Sequence, residues 1–226
     1  HPLLWASYTQ TFLAKRFDAV LHKRTLGSVY SAVLGTLTSA RAGVAHIGRG
    51  LAQARGLAPK HAIKQVDRLL SNELLSVENL APNWLEFVAG NRTDLVVALD
   101  WTEFARSDYS TLVLSVIARD KRATPVLWKT VQRSGIQRIA VEDELLERLR
   151  AALPPPIRIT LLADRGFASC AMYLFLRALQ IDFVIRFKSS LLIGSSDGDM
   201  LPAVQFIPKH GRTFSLSSAR ITSERA

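Results

Sequence analysis

The chain contains a single cysteine, Cys170, among its 226 residues. One cysteine excludes an intramolecular disulfide and any zinc module built from several cysteines. A reducing, cytoplasmic location is therefore expected. The five histidines show no metal-ligand spacing. The sequence also lacks a Walker loop and a glycine-rich dinucleotide fingerprint, so nothing points to a nucleotide-binding enzyme of either kind.

Long apolar runs are also missing. No stretch of about 18 apolar residues occurs, so no transmembrane helix is expected, and no signal peptide is visible. The chain begins with His1 rather than methionine, which predicts a fragment or a processed chain. Hydrophobic residues still make up 48% of the sequence. That proportion is enough for a substantial core in one large domain or two small ones.

Acidic residues are scarce: 19 Asp and Glu stand against 29 Lys and Arg, which gives a net charge of +10. The imbalance is concentrated in residues 1–70, where ten Lys and Arg are opposed only by Asp18 and Asp67. Such an excess predicts a polyanionic partner, either nucleic acid or an acidic membrane surface. A membrane is disfavoured because no strongly apolar stripe accompanies the charge.

Residues 1–90 show helical spacing of apolar side chains and are expected to form an all-α, basic DNA-binding region. The four glycines of Gly43–Gly56 predict a turn or a broken helix. The clearest helix is Lys60–Leu70, and another is expected at about Val77–Val88. One face of the first of these carries Lys60, Lys64 and Arg68. We expect these three to contact DNA phosphates, although a solvated basic face remains the alternative.

Residues 91–188 have a different pattern, in which short apolar runs alternate with helical segments. Strands are expected at Asp94–Asp100, Thr111–Ala118, Val126–Val131, Ile157–Asp164 and Ile181–Phe187, and helices at Ile139–Leu153 and after Ser169. This order predicts an α/β fold, a mixed five-stranded sheet with flanking helices. It is the ribonuclease-H-like plan, in which the first and fourth strands are neighbours.

Two of these strands end on an acid. Asp100 follows Leu95–Leu99, and Asp164 follows the fourth strand. Open α/β sheets bind ligands at the carboxyl ends of their strands, where these two side chains would meet. Carboxylates at such a point suit Mg²⁺ or Mn²⁺, with Asp100 bridging two ions and Asp164 holding one. The alternative is that each aspartate is an ordinary turn or cap residue.

Charged residues near these acids have two possible roles. Arg165 follows Asp164, while Arg186 and Lys188 end the fifth strand. We expect these three to face DNA, although charged residues at strand ends are common. The acids Glu142, Asp143 and Glu144 are expected only to favour the dipole at a helix start. Beyond residue 188, Ser189–Asp199 is expected to be a loop, and Ala203–Ile207 and Thr213–Leu216 are candidate short strands.

Three segments together resemble transposases of the IS4 type, relatives of the Tn5 and Tn10 enzymes. They are LVVALDWT at Leu95–Thr102, LLADRGF at Leu161–Phe167, and KHAIKQVDRLLSN at Lys60–Asn72. The resemblance implies a DDE active site on a ribonuclease-H-like fold, with Mg²⁺ and with Asp100 and Asp164 as the first two acids. It also implies hydrolysis and strand transfer by a homodimer that joins double-stranded terminal inverted repeats and then attacks target DNA.

The third acid of that family is not found here. It lies in a Tyr-x2-Arg-x3-Glu-x6-Lys signature that follows a β-rich insertion, and residues 189–226 look like the start of that insertion. Glu224 has no supporting context as a substitute. The chain as given is therefore expected not to transpose by itself. Two alternatives stay open: a DNA-binding or dimerising remnant that inhibits transposition, and another ribonuclease-H-like nuclease that uses Glu144 as an additional ligand.

Overall fold

The computed structural model describes residues 2–118, 122–134, 137–187, 189, 191–194, 198–207, 214–216 and 219–222. The chain divides into two compact units, His1–Trp84 and Leu85–Ala226. In the described residues, no helix has both the length and the apolar content needed to cross a membrane.

The first unit is built from helices. They are α1 (Pro2–Phe17), α2 (Lys23–Ser39), α3 (Val44–Arg55), α4 (Pro59–Leu70) and the greater part of α5 (Val77–Ala89). Residues of α3 and α4 form a small buried core, which consists of Ile47, Leu51, Ala52, Ala62 and Val66. The helix predicted at Lys60–Leu70 is confirmed, and Pro59 occupies its first turn, where a missing N–H costs nothing.

The prediction of a turn or broken helix within Gly43–Gly56 is wrong. Gly43 and Gly56 flank a continuous helix, and Gly56 ends it with φ 64°. The glycines inside α3 allow neighbouring helices to approach closely. A Cβ on Gly48 would lie 2.5 Å from the Cα of Ile63 on α4, and one on Gly50 would overlap the carbonyl oxygen of Gly35 on α2. Tertiary packing therefore offsets the weak helix propensity of these glycines.

The second unit contains the predicted mixed five-stranded sheet with flanking helices. Its elements are β1 (Asp94–Glu103), β2 (Tyr109–Ile117), β3 (Ala123–Gln132), α6 (Arg138–Ala151), β4 (Arg158–Ala163), α7 (Cys170–Ala178) and β5 (Ile181–Ile185). The strand order is β3-β2-β1-β4-β5. β1 is antiparallel to β2 and parallel to β4, and β4 is parallel to β5. The predicted adjacency of the first and fourth strands is thus confirmed.

The side chains along β1 alternate between buried and exposed, which gives the sheet one fully buried face. Leu95, Val97 and Leu99 are at most 2% exposed, whereas Val96 between them is 38% exposed. The buried row continues across the paired positions of β2 and β4, which carry Leu112, Leu114, Val116, Ile159 and Leu161. Helix α6 packs on β2 and β3, and α7 packs on β5. Burial of this row fixes the register, because a slip of one residue would expose it.

The described residues after 188 include a small three-stranded sheet of order β7-β6-β8. Its strands are β6 (Leu192–Gly194), β7 (Leu201–Pro202) and β8 (Arg220–Thr222). Two predictions for this region are wrong: Ser189–Asp199 includes strand β6, and Ala203–Phe206 is a 3₁₀ helix rather than a strand. Of the candidate strand Thr213–Leu216, residue 213 lies outside the described residues, and residues 214–216 have no regular structure.

Candidate functional site

The parallel pairing of β1 with β4 brings the two predicted acids to one end of the sheet. Leu99 pairs with Ala163, and each is followed directly by an aspartate, Asp100 or Asp164. Neighbouring strands lie about 4.8 Å apart. The two carboxylates are therefore borne by adjacent backbone positions at the point where the pairing of β1 with β4 ends, although 64 positions separate them in sequence (164 − 100). The first strand was predicted to end at Asp100, but β1 continues to Glu103 because it remains paired with β2.

Asp164 has a local role as well as a place in this site. It precedes a single 3₁₀ turn, Arg165–Phe167, and its Oδ1 accepts the backbone N–H of Gly166 at 2.6 Å. A Cβ on Gly166 would approach that same oxygen to 3.0 Å, so glycine suits the tight turn. The turn orients the carboxylate, and its Oδ2 has no hydrogen bond within the described part of the chain. The predicted cap role and the site role are therefore compatible.

Asp100 is exposed and belongs to the face of β1 opposite Leu99. Its backbone pairs with Val113 of β2, so the surrounding ladder continues beyond it on that side. Among the described residues, no side chain donates a hydrogen bond to its carboxylate. An exposed carboxylate on a rigid strand is available to a cation without first breaking an internal contact.

Asp100 and Asp164 line the same concavity, which has a volume of about 390 Å³. Four acidic side chains contribute to it, together with one cation and several uncharged residues. The full lining is Asp100, Trp101, Glu103, Arg138, Ile139, Glu142, Asp164, Gly166, Phe167 and Ser169. The sheet end is therefore an acidic pocket rather than a flat edge, as a site for a divalent cation requires.

Glu142 belongs to this pocket, and the sequence interpretation missed it. Its side chain is only 9% exposed, and its Oε1 accepts the indole N–H of Trp101 at 2.8 Å. Burial raises the pKa of Glu142, while the hydrogen bond from Trp101 and the charge of Arg138 oppose that rise. A signal was present: Glu142 stands three, four and seven positions before Leu145, Leu146 and Leu149, which places it on the buried stripe of α6.

Arg138 lines the pocket and contacts two other residues of its lining. Its guanidinium lies 5.1 Å from the centroid of the Trp101 ring, and its Nη2 donates to Glu103 Oε1 at 2.6 Å. One face of Trp101 is thus occupied by a cation while its N–H is bonded to Glu142. Both contacts hold the indole ring of Trp101 within the protein.

Glu144 does not line the pocket, which removes the ligand assumed in the nuclease alternative. Its carboxylate forms ion pairs with Lys129 of β3 and, at 3.6 Å, with Arg148 one turn along α6. The hydrogen bond from Lys129 lowers the pKa of Glu144, which keeps it an ionised partner of that lysine. Glu144 therefore ties α6 to the sheet and is not positioned as an additional metal ligand.

The basic residues predicted near the acids are placed differently from one another. Arg186 follows Ile185, the partner of Ala163, and its N–H donates to the Ala163 carbonyl at 3.2 Å. It therefore lies in register with Asp164 at the same end of the sheet. Arg165 is exposed in the 3₁₀ turn. Neither side chain lines the pocket, and Lys188 lies outside the described residues.

The predicted basic face of α4 belongs to the first unit, where all three cations are exposed. Lys64 and Arg68 line a concavity of about 730 Å³, and Lys60 does not. The face predicted from sequence is therefore divided: two of its members share a groove, and the third points to solvent outside it.

The donor set of the acidic pocket suits Mg²⁺ or Mn²⁺, which prefer carboxylate oxygens and retain several waters. Asp100 and Asp164 are the residues that would hold such an ion. In the part of the chain that the structure describes, no three His, Cys, Asp or Glu side chains are close enough to form a metal site without further ligands. Water or substrate oxygens would have to complete the coordination.

In sequence, the chain matches no protein-family model and no curated protein. The sheet, the acidic pocket and the distribution of charge are therefore the features that indicate a function.

Proposed function

We propose that the protein is a DDE-type DNA transposase of the IS4 kind, with a ribonuclease-H-like catalytic core. The observation that carries the proposal is the pair Asp100 and Asp164, which directly follow the last paired residues of the parallel strands β1 and β4 and line one pocket. The strand order β3-β2-β1-β4-β5 supports the fold assignment, with only β2 antiparallel to its two neighbours. The net charge of +10 supports DNA as the substrate.

The proposed chemistry is phosphoryl transfer on double-stranded DNA. Asp100 and Asp164 would hold Mg²⁺ or Mn²⁺, which stabilises charge on the attacking and leaving oxygens. The 3₁₀ turn after Asp164 keeps its carboxylate oriented, and burial of the Leu95–Leu99 row keeps Asp100 beside it. Arg186, in register with Asp164, would neutralise a phosphate near the reacting group, and Arg165 would contact DNA next to it. The DNA partners would be terminal inverted repeats and a target, joined by a homodimer.

A second candidate is a metal-dependent nuclease that needs no transposon ends. One observation favours it: Glu142 supplies a further, largely buried carboxylate to the same pocket. This nuclease would use Glu142 beside an ion held by Asp100 and Asp164, because in the described residues the three carboxylates are not close enough to bind one ion together.

The deciding experiment uses DNA that flanks the coding sequence, searched for paired inverted repeats. The chain is footprinted on this DNA and on a shuffled control, and cleavage is then followed with Mg²⁺ or Mn²⁺. The transposase proposal expects protection of the repeats. Cleavage at the repeat ends that Asp100→Asn or Asp164→Asn abolishes would further show that this chain carries a complete set of acids.

The other outcomes separate the candidates. Cleavage of both DNAs that depends on Asp100 and Asp164 supports the nuclease. Repeat-specific binding without cleavage supports either a transposase that needs a further acid or an inhibitory remnant. Adding full-length transposase to the reaction distinguishes these two. No repeat preference and no metal-dependent cleavage would reject both enzymatic proposals. Asp182→Asn, near the opposite end of the sheet, is the matched control.

A further inference from the structure

The five-stranded sheet has a second face, opposite to α6. The indole of Trp101 on β1 bonds to Glu142 of α6, so that side chain points towards the helix. Lys129 on β3 points the same way, because it pairs with Glu144 of the same helix. Side chains alternate along a strand, so the residues on either side of Trp101 and Lys129 point away from α6.

The register of β1, β2 and β3 arranges these opposite-facing residues in three rows, hereafter the aromatic face. Asp100, Val113 and Trp128 are paired in the first row, and Thr102, Thr111 and Thr130 in the second. Phe104, Tyr109 and Gln132 form the third, in which the Phe104 N–H donates to the Tyr109 carbonyl at 3.4 Å. The first and third rows therefore carry aromatic rings, and the row between them carries hydroxyl groups.

The three rings of the aromatic face are exposed. Phe104 is 45%, Tyr109 50% and Trp128 44% exposed. Within the described residues, none of the three stacks on another ring or lies over a cation. Exposed apolar surface that gathers on one face of a protein marks an interaction site. The rings therefore predict a ligand that offers flat apolar surfaces to them.

The middle row makes a protein partner a poor match. Thr111 Oγ1 and Thr130 Oγ1 share a hydrogen bond of 2.8 Å, and Thr102 adds a third hydroxyl beside them. The buried centre of a protein–protein interface is instead enriched in apolar side chains. Unpaired nucleobases have both features that the face requires, since they stack on aromatic rings and form hydrogen bonds through their edges.

Arg106 adds a positive charge at one end of the aromatic face. It lies at the tip of the β1–β2 hairpin, between Phe104 and Tyr109 in sequence, and its side chain is exposed. Among the described residues, its guanidinium has no acidic partner. Aromatic rings for bases, together with cations for phosphates, are the combination that binds single-stranded nucleic acid. The net charge of +10 favours the same kind of polyanion.

The β1–β2 hairpin is held in place by the end of β3. The backbone N–H of Arg133 donates to the Asp108 carbonyl at 2.8 Å, and its Nη2 donates to the Ser107 carbonyl at 2.8 Å. The hydroxyl of Ser134 donates to Asp108 Oδ2 at 2.7 Å. The two rings at the base of this hairpin are therefore preorganised, so binding need not order the backbone that carries them.

The aromatic face is continuous with the proposed metal site. Asp100 stands in the same row as Trp128, two strands away, which is about 10 Å. Phe104 is four residues further along β1, or about 13 Å from Asp100. One base cannot cover both ends of the face, so its rings would contact different nucleotides of one strand. A strand on this face would pass beside Asp100.

We propose that the aromatic face binds single-stranded DNA by stacking unpaired bases on Phe104, Tyr109 and Trp128. Arg106 contacts a phosphate of the same strand, and the face leads that strand to Asp100. The inference rests on the proposed function in that it takes DNA as the substrate. It adds that the substrate at this site has an unpaired segment.

The test measures binding of the full 226-residue chain to a fluorescent single-stranded oligonucleotide without self-complementarity, by anisotropy in EDTA. Phe104→Ala, Tyr109→Ala and Trp128→Ala should each weaken binding at least about fivefold, because each removes a stacking surface. Tyr109→Phe and Trp128→Phe keep a ring and should bind within about twofold of the original chain. The matching duplex hides its base faces, so the alanine variants should change duplex affinity less than about twofold.

The salt dependence separates the rings from the cation. Arg106→Ala should lower the slope of log affinity against log salt by about 0.7, since one phosphate contact on a single strand is lost. The ring variants should leave this slope unchanged. Tyr8→Ala and Arg177→Ala are the controls, because they remove an exposed ring and an exposed cation away from the aromatic face. They should change affinity less than about twofold. Circular dichroism and melting temperature confirm that each variant is folded.

Three results would overturn the inference. Unchanged single-strand affinity in all three alanine variants would remove the site. Equal losses for single strand and duplex would mean that the face does not contact bases. A lower oligomeric state of the alanine variants in sedimentation, with oligonucleotide affinity unchanged, would make the face an interface between copies of this chain.

Failure of this inference and failure of the proposed function give different results. A chain that binds single strands through these rings but shows neither repeat preference nor metal-dependent cleavage keeps the inference and loses the enzyme. A chain whose cleavage depends on Asp100, and whose ring variants bind single strands normally, keeps the enzyme and loses the inference.

Discussion

The indole N–H of Trp101 donates to the carboxylate of Glu142 at 2.8 Å, although 41 positions separate the two residues. Trp101 follows Asp100 on β1, and Glu142 lies on the buried stripe of α6. This single bond connects the strand that carries the first aspartate to the helix above the sheet. The bond therefore joins α6 to the edge of the acidic pocket.

Removing the donor should leave a buried carboxylate without its partner. We expect Trp101→Phe to lower the free energy of unfolding by about 1–3 kcal/mol, because an unsatisfied buried acceptor pays its full desolvation penalty. Urea unfolding measures the effect. Trp128→Phe on β3 is the matched control, since that ring is 44% exposed and the change should stay within about 0.5 kcal/mol. Equal costs for the two variants would show that the bond to Glu142 contributes nothing specific.

The pKa of Glu142, raised by burial, predicts a pH-dependent effect of Glu142→Gln. A carboxyl whose pKa is higher in the folded state favours folding while protonated, and that stability is lost as the pH rises through the folded pKa. Glutamine is neutral at every pH and still offers an oxygen to Trp101. The variant should therefore melt higher than the original chain at pH 8, and the gap should shrink as the pH falls towards 4.

Melting curves at several pH values test this, with Glu147→Gln as the control on the same helix. Glu147 is exposed, so this variant removes a carboxylate of α6 without removing a buried one. If the two variants respond to pH alike, burial of Glu142 does not control its ionisation.

The sequence predicted the parts of this fold that depend on local pattern. The apolar run Leu95–Leu99 and the helix signals between strands predicted the order of the elements. The ribonuclease-H-like plan that this order matches then placed β1 beside β4, and hence Asp100 beside Asp164. Glu142 was missed because an acid early in a helix has an ordinary electrostatic explanation, and its burial depends on what packs above it. The nuclease alternative used Glu144 as a ligand. Whether Glu144 instead pairs with Lys129 depends on how far β3 extends along α6, and no local sequence pattern specifies that length.

The glycines of α3 were misread for a related physical reason. Glycine weakens an isolated helix, so a glycine-rich segment predicts a break. Here α3 is stabilised by close packing against α2 and α4, whose backbones occupy the space that side chains on α3 would take. The helices that compensate are far apart in sequence, so a local sequence pattern does not predict this packing.

A pair of alanine substitutions separates packing from helix propensity. A Cβ on Gly48 would lie 2.5 Å from the Cα and 2.8 Å from the N of Ile63, so α3 and α4 must move apart to accept it. We expect Gly48→Ala to destabilise the protein by about 1–3 kcal/mol in urea unfolding. On α2, a Cβ on Gly27 meets nothing within 4 Å, and Gly27→Ala should stabilise by about 0.5–1 kcal/mol through propensity alone. A stabilising Gly48→Ala would contradict the close approach of α3 and α4.

Binding of Mn²⁺ tests the acidic pocket without requiring any DNA chemistry. Asp100 and Asp164 are the proposed ligands, so Asp100→Asn and Asp164→Asn should each weaken Mn²⁺ binding by at least about tenfold. Asparagine keeps an oxygen that can accept the N–H of Gly166, so the turn after position 164 should persist while the charge is lost. Electron paramagnetic resonance of unbound Mn²⁺ gives the affinity directly. Asp182→Asn removes the same charge near the amino end of β5 and should leave the affinity unchanged. If all three variants bind Mn²⁺ as tightly as the original chain, these aspartates do not form the metal site.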